Sequence, residues 1–384
     1  MMNQANLKLA LKAGFQPIGE VVLDFIGYVF RLYRQFPYSY SALLYLFITM
    51  AFCYYPVSQH WLAGFIMMSL PIAILIGLIA SCYLFYKNQK IVATTGLVWV
   101  LFTFPVVKRL IGIGDGDVNY TASQSLKVLS FNGESFGKNT KNISDWSVFN
   151  ADIACFQEYS RNPNIHEMYA HKTVKLSYMA DSSQIGLGIL SHYPIVNEYS
   201  KLWGKENGPT VNGFICADIA YGCDTVRVVN VHLWSMGVRI NRAFDALKKA
   251  DLKTFAVELY DSFSRLKEGF DMRNEQIREV ESYVAGSRYP VIICGDFNET
   301  PFGYSYGKLS LSFDNAFEKA GKGLGFTLNR QPYCVRIDQQ FFSSDWVVKS
   351  CEIISDITFS DHFPVLAQYS LKKSKFIAES IAQR

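Results

Sequence analysis

Between residues 35 and 86 this chain has no Asp, Glu, Lys or Arg, a charge-free run of 52 residues. A soluble core rarely needs so long a stretch, whereas crossing a bilayer takes about 20 consecutive apolar residues. Pro56, Val57, Ser58, Gln59 and His60 interrupt the run with a polar, turn-like break. Spans are therefore expected over about 40–55 and 61–86, and a third charge-free stretch follows at 91–107. Three transmembrane helices are the favoured reading, with buried core helices as the alternative.

Charge is unevenly divided. Residues 1–110 hold eight bases and two acids, whereas 111–384 hold 29 bases and 31 acids, a net of −2. The basic excess therefore belongs to the front of the chain, and positive-inside logic puts the N-terminus and the 87–90 loop in the cytoplasm. Three spans then carry the rest of the chain to the extracytoplasmic side. If 91–107 lies in the interface instead, two spans keep it inside, and Lys108 and Arg109 pull mildly that way. Residues 21–34 mix Val22, Phe25, Ile26 and Val29 with Asp24, Arg31 and Arg34, as an interfacial amphipathic helix would. No cleavable signal peptide is expected, because residues 1–20 lack a compact apolar core and a small-residue cleavage site.

Half of the residues are hydrophobic and only 18% are charged, which excludes a disordered chain. Residues 111–124, rich in Gly and Asp, read as a linker between a membrane region (1–110) and a second domain (125–373), with a tail at 374–384. Short β-branched runs bounded by turns fill that domain, at about 126–131, 153–156, 186–191, 213–219, 225–233, 291–294, 339–342 and 365–370. The long segment 235–271 has helical spacing. It is expected to pack on the sheets, with a lid or membrane-facing surface as the alternative. A second helix is expected at 273–284. Many strands with few helices between them indicate two packed sheets with helices outside. The eight cysteines show no CxxC spacing, so no structural zinc site is expected, and a disulfide among Cys216, Cys223, Cys334 and Cys351 is left open.

Polar residues gather where these strands end. Asn132 follows the first strand, Gln157-Glu158 the second, His232 closes Asn-Val-His-Leu at 230–233, and Gly-Asp-Phe-Asn occupies 295–298. Arg336-Ile337-Asp338 and Ser-Asp-His-Phe-Pro-Val at 360–365 come later. Singly, each has a bland reading as a strand end, an Asx turn, a cap or a core histidine. Together, and in this order, they form one candidate rim.

This ordered set resembles the endonuclease/exonuclease/phosphatase superfamily over about 126–371, and the layout of spans before the domain resembles bacterial membrane-attached members. The resemblance implies a DNase I-like four-layered α/β sandwich, two mixed sheets flanked by helices, preceded by an N-terminal transmembrane helical region. It also implies hydrolysis of a phosphoester bond with a divalent cation, Mg2+ or alternatively Mn2+. By position, Glu158, Asn132 and Asp361 would bind the metal, the hard oxygen donors that Mg2+ prefers. Asp296 would deprotonate the attacking water, Asn298 would donate to the phosphoryl oxygen, and Asp338 would orient His362. His232 would serve as a second imidazole on the phosphate side. Two departures stand out: Gln339-Gln340 where an aromatic and an aliphatic residue are usual, and Glu134, expected to face solvent.

The leading expectation is a membrane-anchored phosphodiesterase or phosphatase acting on lipid-linked phosphoesters, because an anchor raises the effective concentration of headgroups at the site. A membrane-tethered DNA or RNA nuclease is the alternative, although a domain of net −2 lacks the broad basic footprint of a nucleic-acid binder. A catalytically inactive membrane module is the third reading. The expected partners are the bilayer and the phosphoester substrate, with no protein partner.

Overall fold

The computed structural model describes residues 27, 30, 31, 33–55, 59–116, 125–136, 145–179, 182–204, 210–235, 240–330 and 333–372. Most of the expected interfacial helix, most of the 111–124 linker and the 374–384 tail lie outside the described residues. The chain divides into two compact units, Met1–Ala51 with Ser69–Thr103, and Phe52–Met68 with Phe104–Arg384.

Helices α1 (Pro37–Tyr54), α2 (Trp61–Met68), α3 (Leu70–Tyr86) and α4 (Lys90–Phe102) occupy the charge-free stretches. In the first unit Leu43, Leu84 and Ala93 are buried among α1, α3 and α4. The same helices turn Leu44, Ile72, Leu75, Ile79, Ile91 and Leu101 outward, all more than half exposed. Among the described residues, one helix, Lys90–Val107, is long and apolar enough to cross a membrane, and a second only if α2 and α3 are counted together. The expected 61–86 span is broken at Ser69, because Pro71 sits in the first turn of α3 and cannot continue α2. The expected 40–55 span is a helix, but its Ser, Thr and Tyr residues dilute its hydropathy.

The second unit contains strands β1 (Ile111–Ile113), β2 (Leu126–Asn132), β3 (Ile153–Tyr159), β4 (His171–Tyr178), β5 (Gln184–Ser191), β6 (Ile195–Leu202), β7 (Gly213–Tyr221), β8 (Asp224–His232), β9 (Val291–Asp296), β10 (Asp314–Asn315), β11 (Lys322–Leu324), β12 (Asp338–Phe342), β13 (Trp346–Ile353) and β14 (Val365–Leu371). Two six-stranded mixed sheets have the orders β10-β12-β9-β8-β7-β6 and β13-β14-β2-β3-β5-β4. Leu126, Val128, Ile153 and Ile189 of one sheet share a core with Ile215, Val226, Val228 and Ile292 of the other. The alternate side chains Leu129, Phe131, Phe156 and Tyr159 face a second, aromatic cluster on the outer side. Central strands are thus apolar on both faces, which explains their unbroken hydrophobic runs.

Each sheet contains one parallel pair, β2 with β3 and β8 with β9. Register sets Asn132 opposite Gln157 and His232 opposite Asp296, and Asp338 begins β12 opposite Asp296. One strand-end rim therefore gathers residues far apart in sequence. Gln340 accounts for its own departure: its Nε2 donates to Val128 O (3.2 Å) and Val365 O (2.9 Å), and Tyr369 OH donates to its Oε1, tying one sheet to the other. The first residues of the expected linker are a strand, since β1 pairs antiparallel with β11. All eight cysteines are free, so the open disulfide does not form.

Between β8 and β9 run α5 (Ile240–Lys248) and the 34-residue α6 (Leu252–Ala285), one helix where two segments were expected. Asp251 caps α6 by accepting from Thr254 N (3.0 Å). Its buried residues begin only at Gly269. Within the expected segment 235–271, α6 buries only Gly269 and Phe270, so the expectation that this segment packs on the sheets fails for most of it; the other buried positions belong to the helix expected at 273–284. In the first half Leu252, Val257, Leu259 and Tyr260 are exposed.

Candidate active site

Asp296 stands at the centre of the rim and is 1% exposed. Gly295 precedes it at φ 143°, where a Cβ would sit 1.9 Å from Val231 O, so only glycine permits the approach of β9 to β8. The chain then turns sharply: Asn298 adopts φ 49° and its backbone N–H donates to Asp296 Oδ1 (2.8 Å), closing an Asx turn. A non-glycine residue at such a φ is held by its surroundings. Here Asn298 Nδ2 donates to Leu233 O (3.0 Å) and to Asp296 Oδ2 (3.2 Å).

Asn132 Nδ2 reaches the same Asp296 Oδ2 from the other sheet, at 3.1 Å. His232 Nε2 lies 3.5 Å from that oxygen and His362 Nε2 3.7 Å. Four predicted residues from four chain segments therefore surround one carboxylate oxygen. His232 is oriented by Nδ1 donating to Val211 O (3.0 Å). His362 is oriented by Nδ1 against Asp338 Oδ2 (2.9 Å), in the pairing expected from sequence. Asp338 and His362 are both buried. Burial alone would lower the pKa of His362, but the Asp338 and Asp296 carboxylates beside it raise it to about 10.

The three expected metal ligands lie along one side of this centre. Glu158 Oε1 is 3.9 Å from His232 Nε2, and Asp361 Oδ1 is 3.8 Å from His362 Nε2. Glu158 is pushed out of β3 by an irregularity between Phe156 and Tyr159 and adopts φ 46°. Behind it Gln157 Nε2 donates to Asn230 Oδ1 (2.6 Å), and Asn230 Nδ2 to Phe156 O and Gly188 O, anchoring the kink between the sheets. Glu134 is exposed, as expected, yet partial desolvation and the neighbouring Asp361 and Glu158 carboxylates push its pKa up. Carboxylates gathered closely enough for two of them to disfavour the charge of Glu134, beside an amide oxygen, are the donor set a hard divalent cation accepts. The residues present fit such an ion. Asp296, Asp338 and His362 also offer three ligand atoms within 4.8 Å of one another. Because Asp338 already holds the His362 ring, that trio is an oriented imidazole between two carboxylates.

Sequence reasoning missed several supports of the rim. Thr327 Oγ1 accepts from Ile337 N (3.0 Å) and Asp338 N (3.1 Å), fixing the start of β12. Ser360 Oγ donates to Asn132 O (2.7 Å) and accepts from His362 N (3.1 Å), joining two motifs. Arg330 Nη1 pairs with Asp361 Oδ2 at 2.9 Å. Fully buried Arg273 donates to Trp234 O (3.1 Å), and Gln276 Oε1 accepts from Trp234 N (2.8 Å), so α6 clamps the chain just beyond His232. Arg273 and Gln276, three apart on one helical face, were the only signal for that clamp in the sequence.

Among solved structures, the chain is similar to an endonuclease/exonuclease/phosphatase from Beutenbergia cavernae DSM 12333 (16% identity, 65% of this chain and 72% of that one, TM-score 0.47). It is also similar to the human Nocturnin catalytic domain with bound sulfate (15%, 65% and 95%, TM-score 0.44). A third is an endonuclease/exonuclease/phosphatase family protein from Bacteroides thetaiotaomicron (19%, 66% and 100%, TM-score 0.45). A search of curated proteins found no match. Residues 129–362 match the Endonuclease/Exonuclease/phosphatase family. That match takes in more than half of the chain and every residue of the rim, from Asn132 to His362, and by it the chain belongs to the endonuclease/exonuclease/phosphatase family, whose members are hydrolases of phosphoester bonds.

Proposed function

We propose that the chain is a membrane-anchored, divalent-metal-dependent phosphoesterase that cleaves lipid-linked phosphoesters by direct attack of an activated water. The observation that carries the chemistry is the convergence of Asn132, His232, Asn298 and His362 on Asp296 Oδ2. In this reading Asp296 takes the proton of the attacking water, its carboxylate fixed by Asn132 and Asn298. His362, its ring held in place by Asp338, donates to phosphoryl oxygens as charge builds on them, and Asn298 does so by turning its Nδ2 from Asp296 Oδ2, which leaves its backbone N–H to hold the carboxylate. His232 either donates likewise or protonates the leaving oxygen. Glu158, Asp361 and the Asn132 amide oxygen would hold Mg2+, with Mn2+ as an alternative. When bound, such an ion neutralises the phosphate oxygens and the developing charge. No side-chain nucleophile and no covalent intermediate are required.

The anchor is supported by the charge-free run and by the outward apolar side chains of the first unit. In the proposed arrangement the segments at 40–55 and 91–107 span, 61–86 enters the bilayer as the bent pair α2–α3, and the catalytic domain lies on the extracytoplasmic side. A membrane-impermeant thiol probe should then label Cys223 or Cys334, both exposed, in intact cells. Labelling of these cysteines only after lysis would place the domain inside and overturn that side assignment.

The chemistry is tested with detergent-solubilised protein on mixed-micelle phospholipids, labelled DNA and labelled RNA, with Mg2+ and with EDTA. Phospholipid cleavage should require the ion and vanish in Asp296→Asn and His362→Ala. Cleavage of nucleic acid alone, lost in the same variants, would sink the lipid reading and leave a tethered nuclease.

A further inference from the structure

We infer that the α5–α6 hairpin is a bilayer-binding arm, lying in the interface of an anionic membrane beside the catalytic rim. The inference rests on the anchored reading above and adds to it a second, independent membrane contact.

Topology makes the arm overhang. Strands β8 and β9 are parallel, so α6 must run back along them from the rim to the start of β9. It meets the rim where Arg273 and Gln276 clamp Trp234, two residues beyond the end of β8. The part of α6 that precedes Arg273 starts at Leu252, so at 1.5 Å per residue about 30 Å of helix projects past the site. A helix that only connected two strands would need none of it.

The projecting part is two-faced. Leu252, Leu259 and Phe263 recur at seven and four residues and share one face, and all are exposed. Tyr260, beside them, is 77% exposed. Glu258, Asp261, Arg265 and Glu268 fall on the opposite side, where Asp261 and Arg265 pair at 3.4 Å. Such a helix lies in an interface with its polar face in water; it does not cross. At the tip, residues 247–253 read Leu-Lys-Lys-Ala-Asp-Leu-Lys and every one is exposed. Asp251 is engaged in capping Thr254, which leaves Lys248, Lys249 and Lys253 around two exposed leucines. Leucines that enter acyl chains with lysines at headgroup level suit an anionic lipid surface.

The occupant is further identified by what already lies on the arm. Helix α2, part of the charge-free run, packs there: Phe65 and Phe263 ring centroids are 5.3 Å apart, and a Cβ at Gly64 would sit 2.5 Å from the Phe270 ring. A helix without a charged residue and the exposed apolar face of α6 are thus continuous, and one apolar surrounding serves both. With the arm seated, the rim opens beside the headgroups that a lipid-linked substrate would present.

The test uses the full chain in vesicles of phosphatidylcholine with phosphatidylglycerol, their acyl chains brominated or not, and needs no substrate. Tyr260→Trp adds one emitter to the six native tryptophans, and Tyr178→Trp, at the exposed end of β4, is the control. The added emission of Tyr260→Trp should be blue-shifted and quenched by brominated chains several-fold more than that of the control. Omitting phosphatidylglycerol, or replacing Lys248, Lys249 and Lys253 by Glu, should weaken the quenching. Emission that stays red and unquenched overturns the arm. So does emission that is blue-shifted, unquenched and dependent on protein density, which would indicate a second copy on the same face. A chain that fails to float with the vesicles overturns the anchored reading itself, a result separate from flotation without quenching.

Discussion

Within one helix, α6, Arg273, Asn274 and Gln276 are buried while Leu252, Val257 and Tyr260 are exposed. The second half buries these polar groups beside Phe270, Ile277, Val280 and Val284, because the rim needs polar groups behind it. Arg273 and Gln276 hold Trp234, and Glu299, beside Asn298 and also buried, accepts from Ser305 N (2.8 Å). The first half inverts the usual rule: α2 reaches Phe263, but Leu252, Val257 and Tyr260 stay exposed. Buried polar groups are costly unless paired, and exposed apolar ones gain nothing in water. In the proposed reading each half serves something other than the sandwich: a reacting phosphate for one, a lipid surface for the other. If that contrast is real, changes in the two halves and at the rim should separate cleanly by what they damage.

The largest separation is expected at Asp296. Replacing its carboxylate by the isosteric amide in Asp296→Asn should lower turnover by about a thousandfold, the scale of a lost general base. Thermal unfolding should also shift, because whichever way the amide turns its NH2 meets a buried donor, Asn298 N on one side or the Asn132 and Asn298 Nδ2 groups on the other, so rates are compared where both proteins are folded. Steady-state rates on the best substrate of the micelle and nucleic-acid panel, run beside melting curves, would check both parts. Turnover within tenfold of the parent would remove Asp296 from the reaction and with it the reading of the rim.

The second effect is on stability. Arg273→Met removes the donor to Trp234 O and leaves the buried Glu299 carboxylate, whose charge Arg273 feels, without its cation. Loss of one member of a buried charged set typically costs about 3 kcal/mol, or roughly 10 °C in melting temperature for a domain of this size. Adding Glu299→Gln should return part of the loss, because the orphaned charge is then gone. An unchanged melting curve for Arg273→Met would mean that the clamp is ornamental, and the two halves of α6 would no longer differ.

How far the sequence foretold this molecule follows the same physical division. Central strands such as Leu126–Asn132 and Val291–Asp296 are buried on both faces and announce themselves as apolar runs. The strands His171–Tyr178, Ile195–Leu202 and Trp346–Ile353 end their sheets, and their exposed faces carry polar residues that hide the pattern. The rim was legible because its residues sit in motifs at strand ends, and His362 with Asp338 met as expected. The roles of Thr327, Arg273 and Ser360 were not, although Ser360 stands in the 360–365 motif, because what they do is set by where loops and a helix return in space. The break at Ser69 was overlooked although Pro71 was in plain view, because the apolar run around it outweighed one residue. The exposure of α6 was misjudged for a related reason: amphipathic spacing shows that one face needs covering but does not say by what.

The smallest effect tests that last point. In detergent, Leu252→Ser should leave the stability almost unchanged, within about 0.5 kcal/mol, because Leu252 is 68% exposed and lies in the part of α6 that precedes its first buried residue. On anionic vesicles the same substitution should weaken attachment of the arm, read as reduced quenching of the added tryptophan in the Tyr260→Trp background. A side chain that matters only when lipid is present has a role outside the fold. A melting loss in detergent comparable to that of Arg273→Met would instead show that Leu252 is covered by the chain itself, and the contrast between the two halves of α6 would collapse into ordinary packing.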